Sequence, residues 1–337
     1  MTNPILVEVT RGSLVESFHR GTVVVTGATG HHLLAIGDIS RPVFPRSALK
    51  LIQTLPLIET GAAERFGFGD AEIALACGSH AGGERHAAIA RAMLATLHLD
   101  ESCLACGPAE PQGYKARQEL TARGGRPTAF HHNCSGKHAA MLAASLATDS
   151  PTATYTDPTH PVQRHIHAAL SQLTNAPLAT DVCGIDGCCV PAWAMPLETL
   201  ARLFARIVTG HGIEPARRAV MDAILAACWA QPDLVAGPGR ADTVVMAALP
   251  RRIYMKTGAE GVYCGALPEL GVGFALKMDD GATRASAAAV MPLIERLIPE
   301  AHGLVKRSIL KTPLGQTAGT IRTTRDYEAA LATLKTC

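Results

Sequence analysis

Aromatic residues make up only 4% of this 337-residue chain, and charged residues only 18%. The formal net charge is +2, and no run of Lys or Arg forms a basic stripe, which excludes nucleic acid as a partner. No apolar run approaches the ~20 residues that a bilayer-spanning helix needs, so a membrane is excluded too. The start, Met1-Thr2-Asn3-Pro4 leading into Ile5-Leu-Val-Glu-Val9, lacks the basic and apolar regions of a signal peptide. Repeats and low-complexity linkers are also missing. With 47% hydrophobic residues, the chain can bury a large core and is not a disordered one. Its ten cysteines, in a large chain without a secretory start, are expected to stay reduced, some of them able to bind metal. The expectation is a cytoplasmic α/β or α+β enzyme.

Residues 5–38 read as a β-meander broken at Arg11-Gly12, Arg20-Gly21 and Gly27-Ala-Thr-Gly30. From Ser47 the pattern turns helical, with Pro45 suited to a helix entry. Further helices are expected near 70–76, 83–97, 137–147, 160–173, 196–209 and 214–230. Strands return at 252–256, 261–264 and 270–277, followed by an alanine-rich helix at about 283–298. This order predicts one antiparallel sheet built from both termini, with a mostly helical middle region. A single domain over 1–337 is expected, with a sheet subregion from 1–40 and 250–337 and a helical part over 41–249.

The first chemical signal is Ser47-Ala-Leu-Lys50. At helical positions i and i+3 a hydroxyl and an amine share one face. A serine hydroxyl is a weak nucleophile until a base takes its proton, and a neutral lysine can be that base. Alone the pattern is common. It is followed, however, by Cys77-Gly-Ser79-His80 after a helix and by Lys256-Thr-Gly258 at a strand end. That order is the one found in the penicillin-recognising serine enzymes. Here Gly-Ser-His stands in place of their S-D-N, and Lys256 lies 177 positions after Ser79. A surface lysine and an ordinary turn serine are the bland readings of the separate pieces.

The second signal pairs His131-His-Asn-Cys134-Ser-Gly-Lys137-His138 with Cys183-Gly-Ile-Asp186-Gly-Cys188-Cys189. Cys134 precedes a helix, whose N-terminus favours the thiolate form that binds metal. Distant thiols plus nitrogen ligands suit Zn2+, and fewer than four protein ligands leave a position open. Buried structural cysteines are the competing reading. Asp186 suits either a substrate ammonium or a turn that bonds its own backbone. The fourteen histidines default to solvated or structural roles, with His80 and His86 set apart by flanking Ser79. His165 and His167, two apart on a helix, face different ways.

Together these stretches resemble one family, the rhizobial-type (class 3) L-asparaginases, or asparaginase II. The matching segments are Val9-Thr-Arg-Gly12 with Val15-Glu-Ser17, Pro45-Arg-Ser47-Ala-Leu-Lys50, Cys77-Gly-Ser-His80 with Gly83-Glu-Arg-His86, His132-Asn-Cys-Ser-Gly-Lys-His138, Gly184-Ile-Asp-Gly-Cys188 and Lys256-Thr-Gly-Ala-Glu-Gly261. The resemblance implies a serine-β-lactamase-like fold, a homodimer and hydrolysis of L-asparagine to L-aspartate and ammonia. It implies Ser47 as nucleophile with Lys50 as its base, and Ser79 with Lys256 as the second pair of a proton-transfer network. It also implies Cys134, Lys137 and Cys188 as zinc ligands, with Arg46, His138 and Asp186 at the substrate. Zinc is then expected to serve substrate binding and not to generate the nucleophile. Cys183 and Cys189 remain open as competing ligands. Two rival functions follow from the same residues: a glutaminase or other serine amidohydrolase on this fold, and a non-catalytic zinc-binding or redox-sensing protein.

Overall fold

Thr22-Val-Val-Val-Thr26 is a run of β-branched residues, which fit a pleated surface well, and every one of them is buried. A strand buried at all positions is covered on both faces. This run is the inner half of the strand Leu14–Gly27, the central member of an eight-stranded antiparallel sheet. The structure, a computed structural model, describes residues 2–176, 178, 183–306 and 308–334. Its contacts divide into two compact units: Met1–Ala48, Met195–His211 and Arg252–Cys337 form one, Leu49–Ala194 and Gly212–Arg251 the other.

In the first unit, Leu14–Gly27 pairs with Val272–Met278 in the register Val25 to Phe274, and with Ile5–Arg11 and His32–Ile36 on its other edge. Val262–Leu267 and Tyr254–Thr257 extend the sheet beyond Val272–Met278. Thr317–Thr323 pairs with Ile5–Arg11 through Val9 and Ile321, with Ile309–Lys311 at the edge. N- and C-terminal segments therefore share one sheet, as the order of strand signals predicts. The helices Leu197–Thr209 and Thr283–Leu297 pack on its strands. Gly273 shows how closely: a Cβ there would lie 2.0 Å from the carbonyl oxygen of Ala201. Only glycine lets that helix settle on the strand. Each fully buried Val of the central run contributes ~1.5–3 kcal/mol over exposure.

The second unit is helical around Ser135–Ala147, whose residues from Ser135 to Ser145 are all buried. A helix closed off on every side forms the core of its unit. Its alanines and Gly136 allow close neighbours: a Cβ at Gly136 would meet the Leu75 carbonyl oxygen at 2.6 Å. That places the helix Asp70–Ala76, and the loop leaving it at Cys77, against the start of Ser135–Ala147. Glu84–Thr96, Pro161–Thr174 and Pro215–Ala230 are the other larger helices, the last two joined by Glu59, which accepts from Arg217 at 2.6 and 2.9 Å and from His165. A small hairpin pairs Cys183–Ile185 with Pro191–Trp193. Among the described residues, no helix is long and apolar enough to cross a membrane.

Candidate active site

Ser47 lies in a short helical turn, Arg46–Leu49, in the first unit. Arg46 just before it has a φ of 55°, a left-handed conformation that costs a non-glycine residue on the order of 1 kcal/mol or more. In the same unit Lys256 is fully buried on Tyr254–Thr257, opposite Cys264, and its Nζ donates to the Thr257 carbonyl at 2.7 Å. Gly258 brings this strand end against the segment leading to Ser47, since a Cβ there would sit 2.5 Å from the Pro45 carbonyl oxygen. The glycine of Lys-Thr-Gly is thus required by packing.

Lys50, three residues after Ser47 in sequence, begins the helix Lys50–Gln53 and is 0% exposed. Its Nζ donates to the carbonyls of Gly78 and Asn133, the latter at 3.1 Å. A neutral amine has two N–H bonds and one lone pair. In that form the two carbonyl acceptors would use both N–H bonds and leave the lone pair free. Gly78 precedes Ser79 and Asn133 precedes Cys134, so one amine touches both sequence constellations.

Ser79 is 4% exposed, its amide donates to the Val235 carbonyl at 2.8 Å, and its buried hydroxyl has no hydrogen-bond partner among the described residues. The next residue, His80, accepts from the Gly82 amide at Nδ1, so its Nε2–H donates to Ser135 Oγ at 3.0 Å. Ser135 in turn donates to the Phe130 carbonyl at 3.1 Å. His80 also stacks on His86 at 4.7 Å. Burial, then the charges of His86 and Lys50, hold His80 well below the usual histidine range. These rings are neutral fasteners tying the Ser79 loop to the head of Ser135–Ala147.

Cys134 caps that helix, Lys137 follows in its first turn, and both are buried. Lys137 Nζ donates to Cys188 Sγ at 3.0 Å. The hydrogen bond from Cys188 lowers the Cys134 thiol well below its ordinary range; burial opposes this, and the Lys50 and Lys137 charges add to it. Burial works against the Lys137 ammonium, but the thiols of Cys188 and Cys134 outweigh it and raise Lys137. Two thiols and one amine therefore converge in a buried space. That donor set fits Zn2+, a borderline-soft ion that accepts sulfur and nitrogen, once Lys137 gives up its proton to bind. Among the described residues no group of three or more His, Cys, Asp or Glu side chains could hold a metal.

The neighbouring cysteines turn away from this space. Cys189 is exposed, with a φ of 70° in the turn after Asp186, and Cys183 is half-buried. Both line a separate cavity of about 1200 Å³ with Arg164, His165, Trp193 and Arg217, which includes none of the candidate catalytic residues. Asp186 is half-buried in the hairpin turn, where its amide donates to Val190 and its carbonyl accepts from Cys189, and its charge raises Lys137. His138 is fully buried, with Nδ1 2.6 Å from the Tyr155 hydroxyl and, among the described residues, no partner at Nε2.

The second unit thus gathers Lys50, Ser79, Cys134, Lys137, His138 and Cys188, while Ser47, Arg46 and Lys256 belong to the first. Sequence reasoning missed the carbonyls of Gly78 and Asn133, the Ser135 relay and Tyr155. The first three lie inside quoted motifs. Tyr155, in Thr-Ala-Thr-Tyr-Thr, carries no signal.

A family model described as L-asparaginase II matches residues 7–322. A search of curated proteins finds no significant match. Among solved structures the chain is similar to Mglu in its Tris and glutamate form, with 15% identity over 85% of this chain and 61% of that one, at a TM-score of 0.44. It is also similar to a β-lactamase from Mycobacterium bovis, with 13% identity over 78% of this chain and 88% of that one, at a TM-score of 0.35. The chain spans less than two thirds of the length of Mglu.

Proposed function

We propose, because this chain belongs to the L-asparaginase II family, that it hydrolyses L-asparagine to L-aspartate and ammonia through an acyl-enzyme on Ser47. The single observation that carries the reading is the buried Lys50 amine, held by the Gly78 and Asn133 carbonyls and three residues from Ser47. In its neutral form this amine takes the Ser47 proton as the oxygen attacks the side-chain amide carbon. Preorganised donors stabilise the oxyanion, each worth ~3–4 kcal/mol. Ser79, whose hydroxyl has no partner among the described residues, and Lys256 return a proton to the departing ammonia. Water then cleaves the ester.

Arg46, His138 and Asp186 are proposed to contact the substrate. Cys134, Lys137 and Cys188 would hold Zn2+, which when bound supplies a positive anchor for the substrate's carboxylate or amine. A cytoplasmic homodimer is part of the same proposal, and sedimentation at assay concentration tests the dimer.

Ammonia release from L-asparagine and L-glutamine, together with nitrocefin turnover, tests the function in wild type and Ser47→Ala. Asparagine-dominant turnover that falls about 10³-fold or more in Ser47→Ala is expected. Turnover dominated by glutamine or nitrocefin would replace the substrate. Full asparagine turnover by Ser47→Ala would end the assignment of the nucleophile.

A further inference from the structure

We infer that Tyr155 is a positioning residue that fixes the tautomer of His138, so that the ring offers a bound amino-acid amide a neutral N–H donor at Nε2. The inference rests on the amidohydrolase reading above and adds to it a residue and a mode of binding.

The argument starts from Ala105. Its backbone N–H can only donate, and its partner is the Tyr155 hydroxyl oxygen at 2.8 Å. The hydroxyl must then place its own proton elsewhere, and His138 Nδ1 lies 2.6 Å away. Nδ1 is therefore the acceptor, and the ring's hydrogen is on Nε2. With the other tautomer, two N–H groups would point at one phenol oxygen. The Tyr155 proton would then have no acceptor in a place where the residue is 2% exposed. Buried polar groups left this way are costly, so one tautomer is selected.

Nε2 is sealed from solvent and has no hydrogen-bond partner among the described residues. His138 lies in the first turn of the helix that Cys134 caps, next to Lys137. A doubly protonated ring would put a second N–H on the Tyr155 oxygen as well, so the same hydrogen-bond count excludes it. A neutral donor without a partner, enclosed beside the groups proposed to anchor the substrate, calls for an oxygen acceptor. A carboxylate or carbonyl oxygen of an amino-acid amide is such a group. Tyr155 itself does not touch the substrate; it acts through His138.

Histidine-15N NMR of the full-length purified protein, combined with steady-state kinetics on L-asparagine, tests this. The His138 signals are assigned by their loss in His138→Gln. In wild type, Nδ1 is expected to resonate as an unprotonated acceptor and Nε2 as protonated. In Tyr155→Phe the preference is expected to reverse or mix, with KM raised about tenfold and kcat held within about threefold. A wild-type ring protonated at Nδ1 overturns the inference, as does a Tyr155→Phe protein with unchanged tautomer or unchanged KM. A wild type that hydrolyses no amide overturns the functional reading and the substrate half of the inference. Should Tyr155→Phe fail to fold, His138 variants decide. Both variants should raise KM, His138→Leu about tenfold more than His138→Gln, because Gln can still accept from Tyr155 and donate to the substrate while Leu does neither. Equal KM in the two overturns the inference.

Discussion

A lysine sealed from water serves as a base only if its N–H bonds have acceptors and its lone pair is not taken by a donor. At Lys50 the carbonyls of Gly78 and Asn133 meet the first condition. Lys50→Met should therefore lower kcat on L-asparagine by about 10³-fold or more, nearly as much as loss of Ser47, because the pair acts as one unit. Lys50→Arg should be equally inactive, since its guanidinium donates hydrogen bonds but does not give up its proton. Activity in Lys50→Arg, read as ammonia release, would remove Lys50 as the base. The three thiols of the hairpin region differ in the same concrete way. Cys188 meets Lys137, whereas Cys183 and Cys189 line the separate cavity. Cys188→Ala should lose bound zinc, measured by elemental mass spectrometry, and Cys183→Ala and Cys189→Ala should keep it. The side chains of these sites were legible in the motifs. The two carbonyls that hold Lys50 were not, because backbone oxygens carry no residue signature. The choice among three nearby cysteines depended on turn geometry, which spacing alone leaves open.

Helices with an apolar stripe were legible to within a residue or two: Asp70–Ala76, Glu84–Thr96, Pro161–Thr174 and Pro215–Ala230 all follow the sequence pattern. Tyr114–Ala122 was not, since only Leu120 of its residues is buried and no stripe exists to read. Thr317–Thr323 escaped for a related reason: its polar, glycine-containing run becomes a strand through its long-range partner Ile5–Arg11. Gly136 ties element packing to the site, and Gly136→Ala should destabilise the protein by ~1–3 kcal/mol through its clash with the Leu75 carbonyl. Urea unfolding measures that loss; an unchanged midpoint would mean the two helices separate freely. The joint between Pro161–Thr174 and Pro215–Ala230 adds a pH dependence. Burial pushes the Glu59 carboxyl up, but hydrogen bonds from His165 and Arg217 outweigh it and hold the group at about 2, below its ordinary 4.5. A depressed carboxylate stabilises the fold above its unfolded value, and that contribution fades as pH falls from 4.5 through about 2. Urea midpoints should drop across this window in wild type and drop less in Glu59→Gln. Parallel curves would show that Glu59 is not the group responsible.

At the scale of the whole chain, the α+β class with an antiparallel sheet shared by both termini was legible because strand signals cluster at the two ends. The grouping of Leu197–Thr209 with that sheet was not, because its apolar stripe does not say which surface it meets. The division into units falls just after Ser47, between the proposed nucleophile and its proposed base. Chemistry that uses both must therefore be tested on the intact chain. The most direct measurement is acid quenching of the full-length enzyme during turnover of L-asparagine, followed by peptide mapping. The account predicts an aspartyl ester on the peptide that carries Ser47, absent in Ser47→Ala. An aspartyl group on a different peptide, such as that of Ser79 or Cys134, would contradict it.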